Sequence, residues 1–269
     1  MNEREQRIRE LERAGLFDRD IEDDPPGREI KPDEIEYIKK TLWQRIKRWF
    51  AFFLAYRFAG REQRKGRFVI KEIVGAEHLN VEGGVMLTAN HFSPLDSFIL
   101  HRTFDASGRE GLFYRVIREG NYTSFPGFYG FLMRNCNTLP LSSNAATMRK
   151  FLRAVDTALT GGDCVLIYPE GSMWYNYKKP KPLKLGAYEM AVKANVPIVP
   201  CFITMEDTAL IGADGEGVQA YTVHLGKAIY PDMALPKRER AERMRDENFA
   251  FNKRIYEEFY GIELLYETK

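Results

Sequence analysis

The sequence is poor in several things, and each absence excludes something. Cysteine is scarce: Cys136, Cys164 and Cys201 are the 3 cysteines of 269 residues, far apart, with no Cys-x-x-Cys pair and no metal-ligand spacing. That excludes a disulfide-stapled fold and points to a reducing, cytosolic compartment. A surplus of one charge is missing, because 40 basic residues face 38 acidic ones for a formal net charge of +2. A near-neutral total gives no reason to expect nucleic acid as a partner, although it can hide a local field. No run of about 18 apolar residues occurs, so no ordinary transmembrane span is expected. The first 36 residues are charged almost throughout, which predicts no secretory signal. There is no His-Glu-x-x-His, Cys/His cluster or EF-hand loop, so no metal and no bound cofactor are expected.

What is present is apolar mass and a divided charge. Apolar residues make up 44% and aromatics 13%, enough for one large domain or for one domain plus an appendage. Residues 1–36 hold 7 basic and 13 acidic side chains, net −6; residues 37–70 hold 10 and 1, net +9; residues 71–269 hold 23 and 24, net −1. The neutral total is thus an acidic leader, a basic segment and a balanced body. The leader is expected to begin as a short helix with Ile8 and Leu11 at helical spacing. Asp23-Asp24-Pro25-Pro26-Gly27 then breaks it, leaving a solvated arm.

Residues 41–60 carry an aromatic helix signature. Leu42, Ile46, Trp49, Phe53 and Tyr56 share one face, widened by Trp43, Phe50 and Leu54, with Arg45, Lys47 and Arg48 beside it. Eight uncharged residues separate Arg48 from Arg57, too few to cross a bilayer. Two readings stand: a helix lying in the membrane interface, or an amphipathic helix facing a core.

From residue 67 short apolar runs alternate with helical stretches. Strands are predicted at 68–74, 85–89, 112–116, 138–141, 164–168, 198–203 and 221–225, and helices at 96–103, 145–159, 185–194 and 237–260. This alternation predicts an α/β fold with a mixed, largely parallel sheet flanked by helices. The expected organisation is an acidic arm (1–36), a basic aromatic docking region (37–66), an α/β domain (67–235) and a C-terminal helix packed on it (236–269).

Of the histidines, only His91 sits in a site-like setting. Asn90-His91-Phe92-Ser93-Pro94-Leu95-Asp96 follows the apolar run 85–89, at the strand end where α/β sheets bind ligands. His-x4-Asp spacing lets a short loop fold the carboxylate onto the ring. That fixes the tautomer and leaves the other nitrogen as a general base. The plainer reading is a structural histidine with Asp96 capping the next helix. A second run, 164–168, ends in Pro169-Glu170-Gly171-Ser172, a turn able to hold a polar or phosphorylated group.

Taken together, Asn90-His91-x-Ser93-x-x-Asp96 and Tyr168-Pro169-Glu170-Gly171-Ser172 resemble the 1-acyl-glycerol-3-phosphate acyltransferase family. Lys184-Leu185-Gly186-Ala187 and Val196-Pro197-Ile198-Val199-Pro200 resemble two later family elements, so the likeness covers roughly residues 70–230. The resemblance implies transfer of an acyl group from an acyl carrier protein or coenzyme A thioester to a hydroxyl of a lysophospholipid, giving phosphatidic acid. It implies His91 as base, Asp96 as its orienting carboxylate, Asn90 and Ser93 as braces, and Glu170 and Gly171, with Ser172, on the acceptor. It implies a membrane lipid partner and a peripheral or monotopic place on the cytoplasmic face. The sequence does not set an oligomeric state.

Two positions depart from the family pattern. Met173 stands where an arginine follows Glu-Gly-Ser/Thr, and Ser143 stands at the arginine of the second motif. Both arginines are linked in the family to the acceptor's phosphate. Arg118, Arg149, Lys150 and Lys184 are the candidates to replace them, and a non-standard acceptor or a lipid-binding homologue are the alternatives. A Ser172 hydrolase is disfavoured because no Gly-x-Ser-x-Gly elbow surrounds that serine.

Two further segments keep two readings each. The aromatic stretch 112–133, too Gly/Pro-broken for a long helix, suits an acyl tunnel or core packing under a loop. Lys178, Lys179, Lys181 and Lys184 suit a solvated loop or a lid for anions. His78, His101 and His224 are expected at the surface or in packing, and the cysteines as inert core thiols.

Overall fold

Seven apolar runs become seven strands of one sheet. A computed structural model of the chain describes residues 3–21, 27–212, 215 and 217–268. The Asp23-Asp24-Pro25-Pro26 break lies outside the described residues. The strands are β1 (Val69–Val74), β2 (Val85–Thr88), β3 (Phe113–Ile117), β4 (Thr138–Pro140), β5 (Cys164–Ile167), β6 (Ile198–Ile211) and β7 (Gly217–Leu225). The helices are α1 (Glu3–Arg13), α2 (Leu42–Arg64), α3 (Asp96–Ala106), α4 (Glu119–Thr123), α5 (Gly127–Asn135), α6 (Ala145–Thr160), α7 (Gly186–Ala194) and α8 (Lys237–Tyr260).

The sheet order is β1-β7-β6-β2-β5-β3-β4. Every neighbouring pair is parallel except β6 and β7. The continuous apolar runs follow from burial on both faces. Met86, Val165 and Ile198 turn to the side of α6, α7 and α8, while Val85, Leu87, Cys164, Leu166 and Val199 turn to the side of α3. β6 runs past the predicted end at 203 because antiparallel pairing with β7 carries a hairpin beyond the core, where Glu206 and Asp207 break the apolar pattern. In the aromatic stretch, Pro126 and Gly127 (φ 57°) divide two short helices, α4 and α5.

Helix α2 starts with a capping box between Thr41 and Gln44. It packs through Ala51 and Ala55 onto Leu132 and Cys136, and Ala59 continues the buried stripe of small residues. Small side chains at four-residue spacing let its backbone approach α5. The bulky face points away: Leu42, Trp43, Ile46, Trp49, Phe50 and Phe53 are all exposed, Trp49 at 68%. The core-facing reading fails for these six residues, while Leu54 packs against the α5 contact and Tyr56 turns its hydroxyl to Asp105. Among the described residues, no helix is long and apolar enough to cross a membrane.

The leader is not a solvated arm over its described residues. Ile21, Ile30 and Ile35 are buried, and just beyond them the buried Tyr37 hydroxyl donates to Pro140 O at 2.9 Å. Its acidic average concealed a few apolar anchors, each contributing roughly 1.5–3 kcal/mol when fully buried. Phe17 stacks on Trp174 with ring centroids 5.6 Å apart, and buried Glu12 pairs with Lys179 at 2.6 Å.

Candidate active site

The site is assembled by the sheet. β2, β5 and β3 are adjacent and parallel, so the segments after them emerge at one edge. Residues 90–96 leave β2, residues 168–172 leave β5 and Arg118 leaves β3. Residues far apart in the chain thus meet at the carboxyl ends of neighbouring strands, where open α/β sheets bind ligands.

His91 Nδ1 lies 2.7 Å from Asp96 Oδ2. The backbone N–H groups of Phe92 and Ser93 also donate to that oxygen, each at 3.3 Å, so the loop wraps the carboxylate as the spacing suggested. Tyr168 donates its hydroxyl to Asp96 Oδ1 at 2.7 Å and stacks on the His91 ring at 4.1 Å. The Asp96 side chain is 2% exposed and the His91 side chain 27%. A buried carboxylate accepts only, so Nδ1 carries the proton and Nε2 is left unprotonated in neutral imidazole. Burial, followed by the Asp96 charge and its hydrogen bond, holds the Tyr168 phenol well above its ordinary range, so it stays a donor.

Asn90 and Ser93 brace the loop. The Asn90 amide donates to Ile203 O at 3.0 Å and accepts from Ile203 N–H at 2.8 Å, tying the loop to β6. Ser93 Oγ accepts from Leu95 N–H at 3.2 Å.

His91, Ser93, Asp96 and Tyr168 line a cavity of about 1160 Å³. One part of its wall is apolar: Phe52, Ala55 and Phe58 from α2 with Leu132, Met133 and Cys136. Another part is cationic, with Arg118 and Lys184 beside Gly171 and Met173. Gly171 has φ 76°, the left-handed region that favours glycine, and the atoms a Cβ there would meet are the movable end of the Lys184 side chain.

Four expected acceptor contacts are placed differently. Glu170 and Ser172 are buried beneath the turn and do not line the cavity. Glu170 accepts from the backbone N–H groups of His91 at 3.2 Å and Lys181 at 3.1 Å, and its partner Lys181 Nζ is 3.5 Å away. Burial raises the Glu170 carboxyl, against the pull of Lys181. Ser172 Oγ donates to Phe17 O at 2.6 Å and accepts from Lys181 Nζ at 2.7 Å. Arg149 is exposed on α6 and outside the cavity wall, and Lys150 is turned to Pro32 O at 2.6 Å. Ser143, at the expected arginine, donates N–H and Oγ to Glu119 at 3.1 and 2.8 Å.

The lysine loop is neither solvated nor free throughout. Lys181 is 1% exposed, because Ser172 O, Ser172 Oγ, Glu170 and the Trp174 ring surround its ammonium. Lys178 pairs with Asp207 at 3.6 Å, and Lys184 with Asp18 at 3.6 Å.

Two groups near the site have no local sequence signature. Arg115 donates to His101 Nδ1 inside the cavity wall, between the rings of Phe52 and Phe113. Burial, then Arg115 and Arg102, push the His101 imidazole down to about 2, so it is neutral. Asp20, from the leader, binds Arg118 and lines the same cavity.

A family model described as Acyltransferase matches residues 70–204. An uncharacterized acyltransferase of Schizosaccharomyces pombe is 28% identical over 135 residues, 49% of this chain and 46% of the relative. The 1-acyl-sn-glycerol-3-phosphate acyltransferase of Saccharomyces cerevisiae is 25% identical over 138 residues, 51% and 44% respectively. The chain therefore spans about half the length of the curated relatives it matches. The crystal structure of the 1-acyl-sn-glycerophosphate acyltransferase PlsC of Thermotoga maritima is similar in fold. Its TM-score is 0.53 at 17% identity, covering 83% of this chain and 99% of that one.

Proposed function

The chain belongs to the Acyltransferase family, and on that premise we propose that it moves a fatty acyl group from a thioester to the hydroxyl of a lysophospholipid. The first acceptor is 1-acyl-glycerol-3-phosphate, the product phosphatidic acid, and the donor an acyl carrier protein or coenzyme A thioester. The observation that carries this reading is the His91–Asp96 pair, 2.7 Å apart, at a cavity with both an apolar and a cationic wall.

In the proposed step, His91 Nε2 takes the acceptor's hydroxyl proton. The oxygen forms a bond to the thioester carbonyl carbon, the C–S bond breaks, and the leaving thiolate takes the proton back from the imidazolium. Asp96 stabilises that imidazolium through Nδ1, and Tyr168 holds Asp96. A thioester is already activated, so positioning plus one general base is sufficient.

Docking at a lipid surface is part of the proposal. The exposed Trp43, Ile46, Trp49, Phe50 and Phe53 would enter the acyl boundary while Arg45 and Lys47 meet anionic headgroups. Helix α2 also supplies cavity wall, which would bring the cavity to the bilayer.

A second acceptor class is favoured by Met173 and by the Glu119-bound Ser143, which leave two family phosphate positions without arginine. Mass spectrometry of lipid products tests both. 1-Acyl-glycerol-3-phosphate and a monoacylglycerol, each with an acyl thioester, are expected to reveal which acceptor gains one acyl mass. No gain with any lysolipid would overturn the reading.

A further inference from the structure

The cation that faces the cavity from β3 already holds an anion, and that anion belongs to the chain. Arg118 Nη2 donates to Asp20 Oδ1 at 2.8 Å, and Nη1 donates to Asp20 Oδ2. Asp20 Oδ1 also accepts the backbone N–H of Met173 at 3.1 Å. Arg118 Nη2 is fixed further by Gly171 O at 2.9 Å. Asp20 thus takes a forked guanidinium and a turn N–H at once, the donor set that would recognise one end of a phosphate monoester. Two residues earlier, Asp18 sits 3.6 Å from Lys184, the other cation of that wall.

The leader is pinned there. Trp174 Nε1 donates to Arg19 O and Ser172 Oγ to Phe17 O, both at 2.6 Å. Phe17 lies against Trp174 and Tyr266, and Ile21 is buried. The anchors on either side hold Asp20 over the 171–173 turn.

We infer that Asp20 is a specificity-determining residue that occupies the acceptor's anion subsite and competes with a phosphate monoester for Arg118. The inference rests on the proposed acyl transfer for its place in the reaction. A phosphate monoester carries about 1.5 to 2 negative charges near neutral pH. To reach Arg118 it must displace the carboxylate or sit beside it. Acceptors whose headgroup lacks that charge do not meet this competition.

The test uses the full chain and its Asp20→Asn and Asp20→Ala variants, with thermal melting to verify folding. The ratio of kcat/KM for 1-acyl-glycerol-3-phosphate to that for a monoacylglycerol is expected to rise at least about tenfold in Asp20→Asn, mainly through KM. Glycerol 3-phosphate, titrated calorimetrically without acyl donor, is expected to bind at least about tenfold tighter to Asp20→Asn. Adding Arg118→Gln should erase that gain. An unchanged ratio with unchanged glycerol 3-phosphate affinity in both folded variants would overturn the inference. If no lysolipid turns over but the affinity gain persists, the acyltransferase reading fails while the subsite assignment stands.

Discussion

Tyr168 donates its hydroxyl at 2.7 Å to the Asp96 oxygen that His91 does not use. The two carboxylate oxygens are thereby divided between an imidazole and a phenol, and the carboxylate has one orientation. The ring stack between Tyr168 and His91 ties the phenol to both partners.

Tyr168→Phe is expected to keep the stack and lose the bond. A hydrogen bond to a charged group is worth roughly 1.5–3 kcal/mol, so kcat should fall about 10- to 100-fold. Because Tyr168 acts through Asp96, KM should move little. Steady-state kinetics with both substrates varied checks the split, and a loss confined to KM would contradict a positioning role.

The acid side of stability should carry the mark of His101. Its imidazole is held near 2 in the folded chain and titrates near 6.5 when unfolded. The unfolded chain therefore binds a proton below pH 6.5 that the folded chain does not, so stability present above that pH is lost as pH falls. The slope from this group is about 1.4 kcal/mol per pH unit. Denaturant melts at pH 7, 6 and 5 should show a shallower decline in His101→Gln than in the wild type.

Lys181 is expected to matter for folding. Lys181→Met leaves the Glu170 carboxyl buried without its cation, which costs about 3–5 kcal/mol. The double variant with Glu170→Gln should recover part of that loss. Urea melts of the two singles and the double measure the coupling, and strict additivity would contradict it.

The two faces of α2 should separate. Trp49→Ser with Phe53→Ser is expected to lower binding to anionic vesicles about tenfold or more and leave the melting temperature nearly unchanged. Ala55→Leu overfills the contact with Leu132 and should destabilise by about 1–3 kcal/mol. Vesicle co-sedimentation at two salt concentrations reads the first effect.

The strands and the His91–Asp96 pair were legible because their signals are local. Apolar runs mark buried parallel strands, and the four residues between His91 and Asp96 form the loop that holds the pair. Glu170 and Lys184 were found by motif, but a motif does not say which side chain faces the cavity and which supports the turn. Glu170 and Ser172 support it; Gly171 and Lys184 face the cavity. What escaped is held by distant contacts. Asp20 meets a side chain 98 residues away and a backbone N–H 153 residues away, with no periodicity to announce either. The leader's acidic average hid Phe17, Ile21 and Ile30, which attach it to the body. The lysine run concealed Lys181 because charge density does not predict which member finds a buried carboxylate.

Thiol release from an acyl thioester in the presence of a lysolipid acceptor tests the central claim most directly. With His91→Gln folded to the wild-type melting temperature, release should fall about 10²- to 10⁴-fold, the usual contribution of a positioned base. Release at the wild-type rate in that variant would contradict His91 as the base.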